Sequence, residues 1–260
     1  MKNKLLFILA FLTLQFSAEA QDQELFERWE FISEVDTLRY RILYPEAFTE
    51  TKQYPLIFVL HGAGERGNDN EAQLVHGSSL FLNDIIRKNF PAIVVFPQVE
   101  AEDYWAQVEV ERDTFPLQFH FKNTGEPTKA MRLLMELSDA LAAERYTDQD
   151  RIYVGGLSMG GMGTYEIIYR KPEFFAAAFA ICGGADPAIA QKYPKEFPIW
   201  IFHGEKDDVV PPEFSKTMAR EINTHGGNAK LSLYPNDNHN SWDSAFSEPY
   251  LLPWLFSNKK

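Results

Sequence analysis

Short apolar runs recur along the chain and are separated by segments with helical spacing. Each run holds four to seven residues and is rich in Val, Ile, Phe, Leu or Ala. Such runs are typical of strands that are buried on both faces of a sheet. The predicted strands lie at residues 54–60, 92–96, 151–155, 176–181, 198–202 and 231–234.

Apolar residues three or four positions apart predict four helices, at residues 80–88, 128–145, 158–170 and 212–225. In the second of these, Leu133, Leu134, Leu137 and Leu141 share one face and should belong to the core. Residues 29–34 and 37–43 predict a leading antiparallel pair of strands. Strands that alternate with helices favour an α/β architecture: a mostly parallel, twisted sheet of about eight strands with helices on both faces.

Residues 98–127 interrupt this alternation. The segment is aromatic and charged and lacks a clear period, so it predicts a long irregular loop near the carboxyl edge of the sheet. Trp105 and Glu126 are therefore candidates for a substrate pocket. The alternative, that the aromatic residues only fasten the loop to the core, is equally open.

The amino-terminal 20 residues predict a secretory signal peptide. Residues 1–4 are basic, residues 5–16 are apolar, and Ala18-Glu19-Ala20 fits a small-residue cleavage site. The apolar run is too short to span a membrane, so no membrane anchor is expected. Residues 21–260 are predicted to be one catalytic domain, secreted or periplasmic after cleavage behind Ala20.

The net charge limits the partners that are expected, and the cysteine content limits disulfide formation. The formal net charge of −12 disfavours nucleic-acid binding and gives no attraction to anionic membranes. Cys182 is the single cysteine, so an intramolecular disulfide is impossible, and we expect it to be a small buried apolar residue.

Gly156-Leu157-Ser158-Met159-Gly160 lies between a predicted strand and a predicted helix. In this context G-x-S-x-G indicates a nucleophile elbow, a sharp turn that presents the serine at the end of a strand. Ser158 is thus the candidate nucleophile. A serine hydroxyl needs a neighbouring base to take its proton, and the base needs a carboxylate to orient it.

His239 and Asp207 are the candidates for these two roles. Each follows a later predicted strand, so the chain order is Ser, Asp, His, which is the order of α/β-hydrolase triads. Asp208 is the alternative acid, because it is adjacent to Asp207 and only one of the two can face the histidine.

Two backbone amides are predicted to stabilise negative charge on a substrate oxygen. One belongs to Met159, directly after the nucleophile, and the other to Ala63 in the glycine-rich loop after the first buried strand. A plain glycine turn is the alternative for that loop. A metal site from His203 and Asp207 lacks a third ligand, so neither metal nor cofactor is expected.

The chain resembles α/β-hydrolase serine esterases of the secreted "predicted peptidase", feruloyl esterase and polyhydroxybutyrate depolymerase-like carboxylesterase group. The resemblance rests on residues 61–70, 156–160, 203–211 and 239–242. It implies the α/β-hydrolase fold and places the acid three positions after Gly204, which favours Asp207. Asn238 departs from the glycine that relatives often have there.

The resemblance and the three candidate residues predict a secreted hydrolase of carboxylic esters that works through an acyl-enzyme. Its substrate would be a small-molecule or carbohydrate-linked ester. A serine peptidase with the same triad is the first alternative, and an inactive carbohydrate-binding or scaffold protein is the second.

Overall fold

A computed structural model of the protein describes residues 23–34, 36–114 and 117–260, so the predicted signal peptide lies outside the described residues. These described residues form ten strands: β1 (Glu27–Ile32), β2 (Thr37–Leu43), β3 (Tyr54–Leu60), β4 (Ile93–Gln98), β5 (Val108–Glu111), β6 (Gln118–Phe121), β7 (Thr147–Leu157), β8 (Ala177–Ile181), β9 (Pro198–Gly204) and β10 (Asn228–Tyr234). Eight make one sheet in the order β1-β2-β4-β3-β7-β8-β9-β10, and β5 and β6 form a separate hairpin.

Only β2 runs against the other strands of the large sheet in the described chain. It pairs antiparallel with β1 and with β4, whereas every other neighbouring pair is parallel. The predicted leading antiparallel pair and the mostly parallel sheet of about eight strands are therefore confirmed. Since the parallel strands point the same way, the loops after β3, β7, β9 and β10 meet at one edge.

Seven helices are described: α1 (Ser78–Leu82), α2 (Asp84–Asn89), α3 (Lys129–Ala142), α4 (Met159–Arg170), α5 (Glu213–Thr224), α6 (Trp242–Phe246) and α7 (Leu251–Ser257). They cover both faces of the sheet. Along β3, Leu56 and Phe58 join a core that includes residues of α3, α4 and α5. Ile57 and Val59 point the other way, into a core with residues of α1, α6 and α7. The alternation explains why the whole strand is apolar.

The predicted core face of α3 is confirmed, since its four leucines are all buried. Thr128 precedes this helix and its side chain accepts a hydrogen bond from the amide of Met131, an N-cap that fixes where the helix begins. None of the helices in the described part of the chain has the length and hydrophobicity that crossing a bilayer requires.

Three segments differ from the prediction. The helix predicted at 80–88 is broken at Asn83, because this residue is extended and its side chain caps α2 by accepting from the amides of Ile85 and Ile86. The carboxyl-terminal helices α6 and α7 were not predicted. The segment 98–127 is not entirely irregular, because it contains the β5–β6 hairpin, whose Phe119 and Phe121 pack against Phe214.

Candidate active site

Ser158 lies in the turn between β7 and α4, in a conformation that non-glycine residues rarely adopt (φ 52°, ψ −116°). Two glycines make this turn possible. A β-carbon at Gly156 would lie 2.6 Å from the Leu60 carbonyl oxygen, and one at Gly160 only 1.9 Å from the same atom. The strand, turn and helix predicted from G-x-S-x-G are therefore present, and the turn aims the serine side chain at the carboxyl edge of the sheet.

The three predicted catalytic side chains meet at that edge. Ser158 Oγ is 3.0 Å from His239 Nε2, and His239 Nδ1 is 2.7 Å from Asp207 Oδ2. Asp207 is fully buried, whereas about a fifth of the His239 side chain is exposed. Since Nδ1 faces a carboxylate it carries the proton, which leaves Nε2 free to accept the serine proton.

Asp207 is held from several sides. Its Oδ1 accepts hydrogen bonds from the amides of Val209 and Val210, both at 2.9 Å. Its Oδ2 also lies 3.1 Å from Nε2 of His203. Burial by itself raises the pKa of the Asp207 carboxyl group, but the hydrogen bonds from His203 and His239 outweigh it and hold that pKa well below its ordinary value. The carboxylate is thus kept ionised.

Asp208 does not compete for this position, because its side chain is exposed. His203 is fully buried, and its Nε2 faces two acceptors, Asp207 Oδ2 and the Val210 carbonyl oxygen at 2.9 Å. Its Nδ1 is 2.7 Å from Ser215 Oγ. A line of polar groups therefore runs from the buried side of β9 through Asp207 to the cavity.

The glycine-rich loop after β3 forms the opposite wall. Ala63 and Met159 both line the cavity beside Ser158. Met159 is the first residue of α4, so its amide belongs to the helix turn whose N–H groups have no partner within the helix. Arg66 stabilises the loop by donating to the Ala63 carbonyl oxygen at 3.0 Å.

His61 supports this loop from below as a neutral imidazole. Its Nε2 accepts from the amide of Val99 at 3.0 Å, and its Nδ1 donates to the Gly62 carbonyl oxygen at 2.6 Å. A second proton would have to lie on Nε2, against an N–H group. Burial lowers the pKa of His61 to about 4.

This environment predicts a loss of stability in mild acid. The unfolded chain takes up a proton at His61 near its ordinary pKa of about 6.5, whereas the folded chain resists until about pH 4. Between pH 7 and pH 4 the free energy of unfolding should therefore fall by about 3 kcal/mol through His61. Urea unfolding at pH 7 and pH 4 measures this change. In His61→Asn the free energy of unfolding should fall by about 3 kcal/mol less than in the unmodified protein. An equal drop in both proteins would contradict the assignment.

The cavity in front of Ser158 has a volume of about 260 Å³. The β5–β6 hairpin covers part of it, with Arg112, Leu117 and Phe119 among the lining residues. Its mouth also includes Tyr104, whose ring lies 5.2 Å from the guanidinium carbon of Arg66.

The two predicted pocket residues do not line this cavity. The Trp105 side chain is fully buried, and its indole N–H donates to the His61 carbonyl oxygen at 3.2 Å. A β-carbon at Gly163 would lie 2.5 Å from Trp105 Cβ, so this glycine makes the space in which the tryptophan packs. Glu126 is exposed, and its backbone carbonyl accepts from the Gln107 side chain. For Trp105 the alternative prediction is therefore the correct one, since its side chain fastens the segment to the core.

Several cavity residues were not predicted from the sequence: Glu65, His76 and Trp242. Tyr104 and Phe119 also line the cavity, and they belong to the aromatic segment 98–127 for which a pocket role was one of the two open predictions. Glu65 and Trp242 belong to the motifs that carried the resemblance. Glu65 lies two residues after Ala63 and Trp242 three residues after His239, and these positions along the chain were the available signal. His76 had none, because its neighbours in space lie far away along the chain.

Cys182, Asp207 and His239 place potential metal-ligand atoms within 4.8 Å of one another. The geometry fits a metal poorly, since Asp207 Oδ2 and His239 Nδ1 already bind each other. Burial raises the pKa of the Cys182 thiol far above its ordinary value, which opposes the thiolate form that binds metals.

Comparison with known proteins gives a match over residues 47–248 to the family described as phospholipase/carboxylesterase. A probable feruloyl esterase C of Aspergillus terreus is 27% identical over 200 residues, which are 75% of this chain and 64% of that protein. A bifunctional acetylxylan esterase/xylanase of Neocallimastix patriciarum is 36% identical over 83 residues, 32% of this chain and 12% of that protein.

Among solved structures, a thermostable esterase is similar over 92% of this chain and 64% of its own, with a TM-score of 0.82 and 31% identity. The chain therefore spans less than two thirds of the length of each of these three relatives. The family match and this structure confirm the predicted fold class.

Proposed function

Because the chain belongs to the phospholipase/carboxylesterase family of α/β-hydrolases, we propose that it hydrolyses carboxylic esters with Ser158 as nucleophile. The observation that carries this proposal is the unbroken contact from Ser158 Oγ through the His239 ring to Asp207, at the floor of an open cavity. Both bonds have hydrogen-bond length, and the order of the groups fits general base catalysis of nucleophilic attack.

The proposed reaction has two halves. Ser158 Oγ attacks the ester carbonyl carbon while His239 Nε2 takes its proton, and the amides of Ala63 and Met159 face the oxygen that becomes negative. This attack gives a tetrahedral intermediate. The intermediate collapses when His239 returns the proton to the leaving alcohol, and Ser158 is then acylated. Water then attacks the acyl-enzyme by the same route and releases the acid.

Asp207 contributes by orientation and charge. Its buried carboxylate keeps the proton of His239 on Nδ1 and stabilises the imidazolium that forms in each half of the reaction. Each oxyanion donor is expected to contribute about 3 kcal/mol to transition-state stabilisation.

We extend the proposal to carbohydrate-linked esters as the substrate class and to a secreted or periplasmic location. The first is supported by the name of one sequence relative, an acetylxylan esterase/xylanase that matches 32% of this chain. The second is supported by the basic, apolar and small-residue order of residues 1–20.

A panel of substrates tests the esterase proposal against the peptidase and scaffold alternatives. It comprises p-nitrophenyl esters of increasing acyl length, methyl ferulate and a peptide p-nitroanilide. We expect kcat/KM on at least one ester to exceed that on the anilide by more than about 100-fold, since ester leaving groups need less protonation than amines. A preference for the anilide would favour a peptidase. No turnover of any substrate by the folded protein would favour the scaffold role.

A further inference from the structure

The cavity in front of Ser158 has two chemically different halves. One half is apolar: Met162 and Val210 belong to a small hydrophobic cluster, and Phe119 and Val209 pack against it. The other half contains Glu65, His76 and Trp242. An ester also has two parts, an acyl group and an alcohol, so each half of the cavity can be assigned to one of them.

The Glu65 carboxylate and the Ser158 side chain are both neighbours of Gly62. A β-carbon at Gly62 would be 3.0 Å from Glu65 Oε2 and 3.6 Å from Ser158 Cβ, so the two side chains flank the open face of this glycine. Only 14% of the Glu65 side chain is exposed. A shielded carboxylate is costly unless groups that donate hydrogen bonds surround it.

His76 is the ion-pair partner of Glu65, and it leaves the Glu65 carboxylate able to accept a hydrogen bond from another donor. His76 Nε2 is 3.7 Å from Glu65 Oε1, which is an ion-pair distance but too long for a direct hydrogen bond. Within the described residues, Glu65 therefore faces the cavity with acceptor capacity that its protein neighbours do not fill. His76 adds a ring that can donate beside it.

Trp242 shows which part of the ester this half receives. Its ring centroid lies 5.3 Å from the His239 ring, edge to face, and 5.0 Å from the His76 ring. The leaving alcohol takes its proton from His239, so it must lie beside that ring. The half of the cavity that adjoins His239 through Trp242 is consequently the alcohol side.

We propose that Glu65, His76 and Trp242 form an alcohol-side subsite that selects alcohols with further hydroxyl groups next to the ester oxygen. This inference rests on the proposed esterase function. A free hydroxyl of the alcohol donates to the Glu65 carboxylate, a second hydroxyl oxygen accepts from His76, and the C–H face of the alcohol packs on Trp242. Paired donor and acceptor groups recognise a diol better than an alkyl chain, which would leave both unpaired.

A further observation extends this subsite beyond the cavity. A second depression shares His76 as a wall and continues outward with Ser79, Asn83, Asp243 and Ser247 among its lining residues. This polar surface suits the remainder of a polyhydroxylated alcohol.

The test compares three acetate esters that differ only in the alcohol: glyceryl monoacetate, ethyl acetate and acetylcholine. We expect the protein to prefer glyceryl monoacetate over ethyl acetate by about tenfold or more in kcat/KM. Glu65→Ala and His76→Phe should each lower that ratio by about tenfold, mainly through KM for the glyceryl ester. Glu65→Gln keeps an acceptor oxygen, so it should lower the ratio of the two kcat/KM values less than Glu65→Ala does.

Glu102→Gln is the matched control, since Glu102 is exposed and does not line the cavity; its ratio should equal that of the unmodified protein. An unchanged ratio of kcat/KM for glyceryl monoacetate over ethyl acetate in Glu65→Ala would overturn the proposed subsite. A preference for acetylcholine that Glu65→Gln abolishes would also overturn it, because that result would indicate a site for an ammonium group. Failure of the esterase proposal looks different: p-nitrophenyl acetate and all three acetates would then remain intact in the unmodified protein.

Discussion

Replacing Ser158 with alanine is expected to lower kcat on an activated ester by about 10⁵- to 10⁶-fold, the scale of losses when a triad nucleophile is removed. The change deletes one oxygen, whose partner is His239 Nε2 at 3.0 Å. Alanine meets the same backbone restriction as serine at φ 52°, so the turn itself should persist. The thermal unfolding midpoint should therefore change little while turnover disappears.

A fluorophosphonate probe provides the direct readout, because it reacts with activated serines. Mass spectrometry should place one adduct per chain on Ser158 and none in the alanine variant. Ser257→Ala serves as the control, since Ser257 is exposed in α7, and it should retain both labelling and activity. Labelling of another residue, with Ser158 unmodified, would show that the nucleophile is wrongly assigned.

The arrangement of Ser158 and the loops around it was predictable because it depends on local sequence. A buried strand followed by glycines and an apolar helix leaves few conformations for the turn between them. The steric cause is nevertheless not local: the glycine at position 160 is required by the Leu60 carbonyl oxygen on a neighbouring strand. The G-x-S-x-G motif was therefore recognisable in the sequence, whereas the reason why it needs glycine at position 160 is visible only in the structure.

Pocket residues could not be predicted in the same way. Whether an aromatic residue in a long connection faces the cavity or the core depends on the path of that connection, which hydrophobic periodicity does not encode. Trp105 enters the core because Gly163 leaves space for it in α4. The hairpin that does cover the cavity has strands of four residues with polar and charged positions, too short to give a distinct pattern.

The identity of the triad acid depends on turn geometry. The resemblance to α/β-hydrolase esterases, which implies an acid three positions after Gly204, favoured Asp207 over Asp208, and the structure gives the physical difference between these neighbours. Asp207 accepts from two backbone amides and two imidazoles, whereas Asp208 points into solvent. The hydrogen bonds that hold the Asp207 carboxylate are also those that lower its pKa.

Asp207→Asn is expected to lower kcat by about 10⁴-fold, as in other triads in which the acid becomes an amide. The new side chain can still accept from the amides of Val209 and Val210 through its oxygen. Its NH₂ group then faces His239 Nδ1, and two donors cannot face each other. The ring must therefore present an unprotonated Nδ1 to the amide and an N–H group to Ser158, which removes the base.

The same substitution should change how stability depends on pH. A carboxyl group whose pKa is lowered by folding stabilises the protein above its unfolded-state pKa, and this contribution is lost as the pH falls toward the folded-state value. Asp207→Asn lacks a titrating group, so its free energy of unfolding should decline less than that of the unmodified protein below about pH 4. Urea unfolding between pH 7 and pH 3 measures this difference.

Asp208→Asn is the matched control, because it makes the identical chemical change one residue away on an exposed side chain. It should alter kcat by less than about threefold and stability by less than about 0.5 kcal/mol. The contrast isolates the interaction with His239 from any general effect of losing a negative charge in this loop. If Asp208→Asn were the severe change and Asp207→Asn the mild one, the acid would have to be reassigned and the 2.7 Å contact with His239 Nδ1 would have no catalytic role.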